Sequence, residues 1–282
     1  RIGRIEHRKS DATLIESWDY TRDEVGNPTL MLRGSDSMRQ YFNYDPASRI
    51  TLEAWRTPGG SDVYGFSYQY DAAGNRSRKA NLAGVNTYWN YDLADQMTIQ
   101  KNEADTRVYF TFDSNGNLSV EHDVDASAGR TYYDYEPRNL LTRIDFPGAT
   151  ATNYFYYNAA GERIRKDDST GAKKYTWDGL DTILEKNLAG SMLQRLVKGY
   201  TPIGGIGAYV MQDVAGTVIW PHKNQVGTAM RHTDGTQAVV NTYEYDAWGQ
   251  PLVTSEGTPQ QLRFSQKELD PDFVDFNSVN RR

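Results

Sequence analysis

The chain has only four histidines, His7, His122, His222 and His232. His222 and His232 stand ten residues apart with Asp234 close behind, a set of donors that suits a divalent metal. A catalytic zinc needs three protein ligands, and no third or fourth follows at a recognisable spacing, so ordinary strand histidines are expected. Glu268, Asp270, Asp272 and Asp275 form an acidic cluster near the end, with Lys267 and Arg281 beside it. Two carboxylates placed across a sugar would make a glycosidase; acids this dense are expected to form a solvated loop. Gly204, Gly205 and Gly207 make a glycine-rich turn without a phosphate-binding fingerprint around it. Sequons begin at Asn75 and Asn117, and G-x-S-x-G is missing. The chain is therefore read as having no catalytic residue, metal ligand or cofactor, and as not being an enzyme.

Composition narrows the classes further. Without cysteine there is no disulfide scaffold, thiolate zinc site or cysteine nucleophile. A net charge of −6 gives no basic stripe for phosphates, so nucleic acid is not an expected partner. No apolar run approaches the roughly 18 residues of a membrane span; the longest soft stretch is "IGGIGAYVM" from Ile203. The opening "RIGRIEHRKS" has no apolar segment and reads like the inside of a repeat, so a fragment of a longer protein is expected. Only 38% of residues are hydrophobic, yet 20 are tyrosines. Tyrosine joins an apolar ring to a polar tip and suits half-buried sheet surfaces.

One pattern dominates the elements that hold these residues. "YDAAGNRSRK" begins at Tyr70, "FDSNGNLSVE" at Phe112, "YNAAGERIRK" at Tyr157 and "YDAWGQPLVT" at Tyr245. Aligned on the aromatic, copies begin at Tyr44, Tyr70, Tyr91, Phe112, Tyr135, Tyr157 and Trp177, at intervals of 20 to 26 residues. An irregular copy spans Tyr20 to Asn27. A period this regular signals one supersecondary unit per repeat.

That unit is a β-hairpin. Val108, Phe110 and Phe112 alternate with Tyr109, Thr111 and Asp113, which is strand periodicity. Asp113 can then accept backbone hydrogen bonds, Gly116 permits positive φ, and Leu118 and Val120 resume the alternation. Asp45, Asp71 with Gly74, Asp92, Asn158 with Gly161, Asp178, and Asp246 with Gly249 repeat the same chemistry, so these acids and amides are turn residues. Asp95, Asn139 and Asp181 fall at the glycine position, and Asn and Asp tolerate left-handed backbone better than other side chains. Hairpins in series must pair edge to edge, which predicts an all-β chain forming one long spiralling antiparallel sheet. Tyr70, Tyr91, Tyr135 and Tyr157 share a register and are expected to form a ladder on one face.

"YDAAGNR", "FDSNGNL" and "YNAAGER" at this spacing resemble the YD-repeat of the Rhs family, and the resemblance covers nearly the whole chain. That family includes bacterial Rhs toxins, the C subunits of insecticidal Tc toxins, wall-associated bacterial proteins and animal teneurins. The stretch from Val197 to Leu252 is similar to the Rhs core segment, with His222 to Thr228 as its H-x-D-x-x-G-S/T element and Asn224 in place of Asp. "RFSQKELDPDFVDFNSVNRR" resembles the family's "RFSGKExDxETGLxxFxxRxYDP", with Gln266 where Gly is usual and Phe273 near another expected Gly. Asp270 precedes Pro271, but "DPDF" lacks the glycine of the family's self-cleaving D-P-x-G.

The resemblance implies a hollow, barrel-like shell around a C-terminal effector. Residues 1–185 are expected to be the hairpin array and 186–282 the core-associated segment continuing the same sheet. The expected function is a non-enzymatic, secreted or cell-surface shell that encapsulates or presents a toxin absent from this chain. Its expected partners are the rest of its own shell and the effector, with secretion machinery or cell-surface glycans or proteins as further candidates. The alternative is an extracellular adhesion or surface protein on the same shell; a β-helical carbohydrate enzyme is the third reading.

Overall fold

The computed structural model describes residues 1–124, 129–149, 152–179, 181–199 and 209–258. The first strands are β1 (Arg4–Arg8), β2 (Leu14–Arg22), β3 (Pro28–Arg33), β4 (Arg39–Tyr44), β5 (Ile50–Arg56), β6 (Asp62–Tyr70) and β7 (Arg76–Asn81). β8 (Asn86–Tyr91), β9 (Met97–Asn102), β10 (Arg107–Phe112), β11 (Leu118–Asp123), β12 (Arg130–Tyr135) and β13 (Leu141–Asp145) follow. A 3-10 turn at Pro147–Ala149 leads to β14 (Thr152–Tyr157), β15 (Arg163–Asp168), β16 (Gly171–Asp178), β17 (Asp181–Asn187) and β18 (Met192–Lys198). β19 (Tyr209–Val214), β20 (Thr217–Lys223), β21 (Ala229–Thr233), β22 (Val239–Tyr245) and β23 (Pro251–Glu256) complete a 23-stranded sheet.

Strands next to each other in sequence pair antiparallel, as in β6 with β7, β7 with β8, and β8 with β9. Short connections leave the chain no room for a crossover, so each hairpin lies against its neighbour. The expected all-β array of serial hairpins is what the structure shows.

The chain forms two compact units: Asp19–Tyr154 with Arg1, and Ile2–Trp18 with the residues from Phe155 on. Burial alternates along strands such as β3 and β12 in the first unit and β16 in the second, which marks one face, while all five residues of β21 are buried. A series of buried rings stands two residues before the repeat aromatic, Tyr68, Trp89, Phe110 and Tyr133 in the first unit and Phe155, Tyr175 and Tyr243 in the second, beside the fully buried Trp55 and Trp18. Burying such a ring stabilises by about 1.5–3 kcal/mol. Polar partners share this face, which explains how so modest a hydrophobic content still builds a sheet. Buried Glu53 accepts from Gln40 Nε2 at 2.6 Å and from Tyr68 OH at 3.1 Å, so its charge is solvated by protein donors.

Candidate functional site: the turn rail and the histidine end

The repeat turns are built alike. In the Tyr70 copy, Gly74 N donates to Asp71 O and Asp71 N to Asn75 O, while Asp71 Oδ1 accepts from Asn75 N at 2.8 Å. The same bonds recur at Asp45, Asp92, Asp113, Asn158 and Asp246. Gly74, Gly116, Gly161 and Gly249 have φ of 98°, 83°, 85° and 90°, the left-handed residue that a type I turn with a bulge needs. Asn117, through its side chain and backbone N–H, holds the Asp113 carboxyl below the usual carboxylate range.

In several copies the repeat aromatic ties its hairpin to the one before it. Tyr44 OH donates to Pro28 O at 2.8 Å, Tyr70 OH to Ile50 O at 2.7 Å and Tyr91 OH to Arg76 O at 3.0 Å. Trp177 Nε1 does the same to Arg163 O at 2.8 Å. Each acceptor is the first residue of an earlier return strand. Tyr70, Tyr91, Tyr135 and Tyr157 are half-buried at strand ends, and Arg49 lies over the Tyr70 ring at 4.5 Å.

A second layer of order joins the turns of the first unit. Asn75 Nδ2 donates to Asp71 Oδ2 in its own turn at 3.2 Å and to Asp95 Oδ1 in the next at 2.7 Å. Asn117 does likewise to Asp113 at 2.9 Å and Asn139 at 3.0 Å, and Asn27 to Asp23 at 3.0 Å and Ser48 at 3.1 Å. The acceptors Ser48, Asp95 and Asn139 are the residues that replace glycine, with φ of 60°, 58° and 60°. Loss of glycine in every second copy is therefore an exchange of easy backbone geometry for a side chain that receives its neighbour's amide. The repeating unit is a pair of hairpins. The sequon asparagines Asn75 and Asn117 are both engaged in this rail.

One expectation needs revision. Asp181 is not at a left-handed position: it pairs directly with Asp178 as the first residue of β17, and Gly179 takes the positive φ of 64°. The opposite ends of the hairpins also use the same turn, at Asn81–Gly84, Asn102–Asp105 and Asn187–Gly190. The signal was in the sequence, since "NLAG" occurs at both Asn81 and Asn187.

In the second unit the histidines separate. His222 lies opposite Arg231, and Pro221 opposite His232, so the two histidines project to opposite faces. His222 Nε2 is 2.9 Å from Thr233 Oγ1 and its ring stands edge-on to His7 at 4.9 Å. His232 packs edge-on against Tyr243 at 5.6 Å. Asp234 Oδ1 accepts from Thr236 N and Ala238 N in a turn. Two imidazoles on opposite faces cannot share one ion. His7 Nε2 lies 3.1 Å from Lys223 O, Ser10 N donates to Gln237 Oε1 at 2.8 Å, and Arg231 pairs with buried Glu16 at 3.1 Å. The first hairpin is thus clasped to β20, β21 and the turn after it. Burial, and then His7, push the His222 imidazole down to about 4. Gly204, Gly205, Gly207 and the acidic cluster at Glu268, Asp270, Asp272 and Asp275 lie outside the described residues.

These features define a class: a serial β-hairpin repeat protein whose turns are coupled by side-chain amides. No family model matches the chain. It is similar to the tRNA3(Ser)-specific nuclease WapA of Bacillus spizizenii, 27% identical over 199 residues, which are 66% of this chain and 8% of that protein. It is also similar to the tRNA nuclease WapA of Bacillus subtilis, 26% identical over 197 residues, again 66% of this chain and 8% of that protein. Among solved structures, the Photorhabdus luminescens Tc holotoxin pore aligns with 95% of this chain and 18% of its own, at 14% identity and a TM-score of 0.43. The TcdB2–TccC3 structure aligns over the same shares at 14% identity and a TM-score of 0.45. The sequence relatives agree with the Rhs/YD-repeat resemblance. They also correct the expectation that the protein is not an enzyme: both relatives are named as tRNA nucleases. The chain spans less than a tenth of the length of those relatives.

Proposed function

We propose that this chain is part of the repeat shell of a longer, secreted or surface-exposed bacterial toxin, a shell that encloses or presents an enzymatic C-terminal effector. Residues 1–185 and 186–282 are then consecutive parts of one wall. The observation that carries this reading is the repetition itself, one hairpin design copied along the chain, with the copies at Tyr44, Tyr70 and Tyr91 each bonded to the one before. A wall that grows by identical increments suits enclosure, because its length scales with the number of repeats. The relatives' names support tRNA as the substrate class of the parent toxin. Its partners are the rest of the shell and the effector.

The test uses the full-length protein. Limited proteolysis should leave the effector intact inside the shell under conditions that degrade the separately expressed effector, and tRNA cleavage should appear on release. An effector digested at the same rate in both settings would refute enclosure. Absence of tRNA cleavage from the released effector would refute the substrate.

A further inference from the structure

On the face opposite the buried rings, β11, β12 and β13 carry side chains that the hairpin design does not use. His122 and Arg130 stand directly opposite each other in the β11–β12 ladder. Among the described residues neither has an ion-pair partner. Each carries an N–H donor that no carboxylate among the described residues takes up. Tyr132, on the same face, is 46% exposed and pairs with Asp145. Arg143 Nε donates to Asp145 Oδ1 at 3.0 Å and Thr152 Oγ1 donates to the same oxygen at 2.9 Å, which fixes the far side. Together they line an open cleft of about 630 Å³.

We propose that this cleft binds a phosphate-bearing ring, a nucleotide or a sugar phosphate, with the phosphate between His122 and Arg130 and the ring against Tyr132. A phosphate monoester brings about −1.5 to −2 charges and three acceptor oxygens at neutral pH, enough to meet an imidazole and a guanidinium at once. Charge-assisted bonds of this kind are about twice as strong as neutral ones. The exposed ring is a stacking face that takes a base or a sugar. Pinned Arg143, Asp145 and Thr152 offer fixed partners to ring hydroxyls. A polynucleotide fits less well: the chain carries −6 overall, and long strands need many phosphate contacts. This inference does not depend on the shell reading.

The experiment is calorimetric titration of the purified chain with adenosine 5′-monophosphate, glucose 6-phosphate and inorganic phosphate. Both or one of the ring phosphates should bind roughly tenfold tighter than inorganic phosphate, the stacking contribution expected of one ring. Whichever ring binds tighter identifies the source. Arg130→Gln, and separately His122→Gln, should weaken binding roughly tenfold. Tyr132→Leu should reduce the ring phosphates to the inorganic value while leaving the thermal midpoint in place. Failure of all three probes to bind at millimolar concentration overturns the proposal. So does binding indifferent to Arg130→Gln and Tyr132→Leu, or a poly-glutamate peptide that binds tighter than every phosphate.

Discussion

Asn75 makes one amide serve two turns, so its loss should be felt in both. Asn75→Ala removes the bonds to Asp71 and Asp95, and we expect a cost of about 0.5–1 kcal/mol in urea denaturation. The coupling should appear as non-additivity with Asp95→Gly, because glycine relieves the left-handed backbone while discarding the acceptor. An additive pair would show that the two turns are independent. At Gly161, where φ is 85°, a β-branched side chain meets strain that no neighbour can relieve. Gly161→Val should destabilise by more than about 1 kcal/mol, and an unchanged urea midpoint would contradict the turn assignment. This scale was largely legible: an acid or amide three residues before a glycine dictates its own turn through local bonds. What stayed hidden was why glycine is lost at Ser48, Asp95 and Asn139. The reason lies about 20 residues away, in the previous turn's asparagine, and shows only when every second copy is compared.

At the scale of elements, the clasp between the first hairpin and the late strands makes a pH prediction. His222 is held neutral by burial and by His7, with a value of about 4 in place of the usual 6.5. Arg231 lies directly across from it, balanced by buried Glu16, and Lys223 follows it on β20. A histidine whose value is depressed on folding binds its proton more readily in the unfolded chain. Its contribution is therefore complete above about pH 6.5 and is lost as pH falls towards 4, by at most about 3 kcal/mol. Urea titrations from pH 7 to 4 should show that loss, and His222→Gln should flatten it. A slope unchanged in His222→Gln would move the effect to another group. Sequence could not reveal the clasp, because His7 and Lys223 are 216 residues apart. It could have separated His222 from His232, since an even spacing along one strand does not hold across the intervening turn and bulge. The buried rings are likewise hidden behind the repeat motif: Tyr70 and Tyr91 carry the pattern, while Tyr68 and Trp89, two residues earlier, lie deeper. The repeat aromatic sits at the strand end beside a register shift, where its hydroxyl can reach a carbonyl.

For the molecule as a whole, the paired-hairpin period has a consequence that a simple period near 21 residues does not. A repeat array is close to one-dimensional, so stability is a sum of units and of interfaces between neighbours. Removing residues 71–91 joins Tyr70 to Asp92 and takes out one hairpin. The turn at Asp45, with Ser48 in the glycine position, would then face the turn at Asp92, with Asp95 there. Neither supplies the donating asparagine, and the Asn75 bonds disappear. Removing residues 71–112 joins Tyr70 to Asp113 and takes out two hairpins. That places Gly116 and Asn117 after Ser48, as Gly74 and Asn75 were before, and leaves the Asn117 bond to Asn139 intact. The buried aromatics still alternate with their neighbours in either case, so the two deletions differ chiefly in the rail. The longer deletion should therefore unfold at a higher temperature and with a sharper transition than the shorter one, although it removes twice as much chain. If the single-hairpin deletion is the more stable, stability follows repeat number alone and the pairing of hairpins through Asn27, Asn75 and Asn117 has no energetic weight.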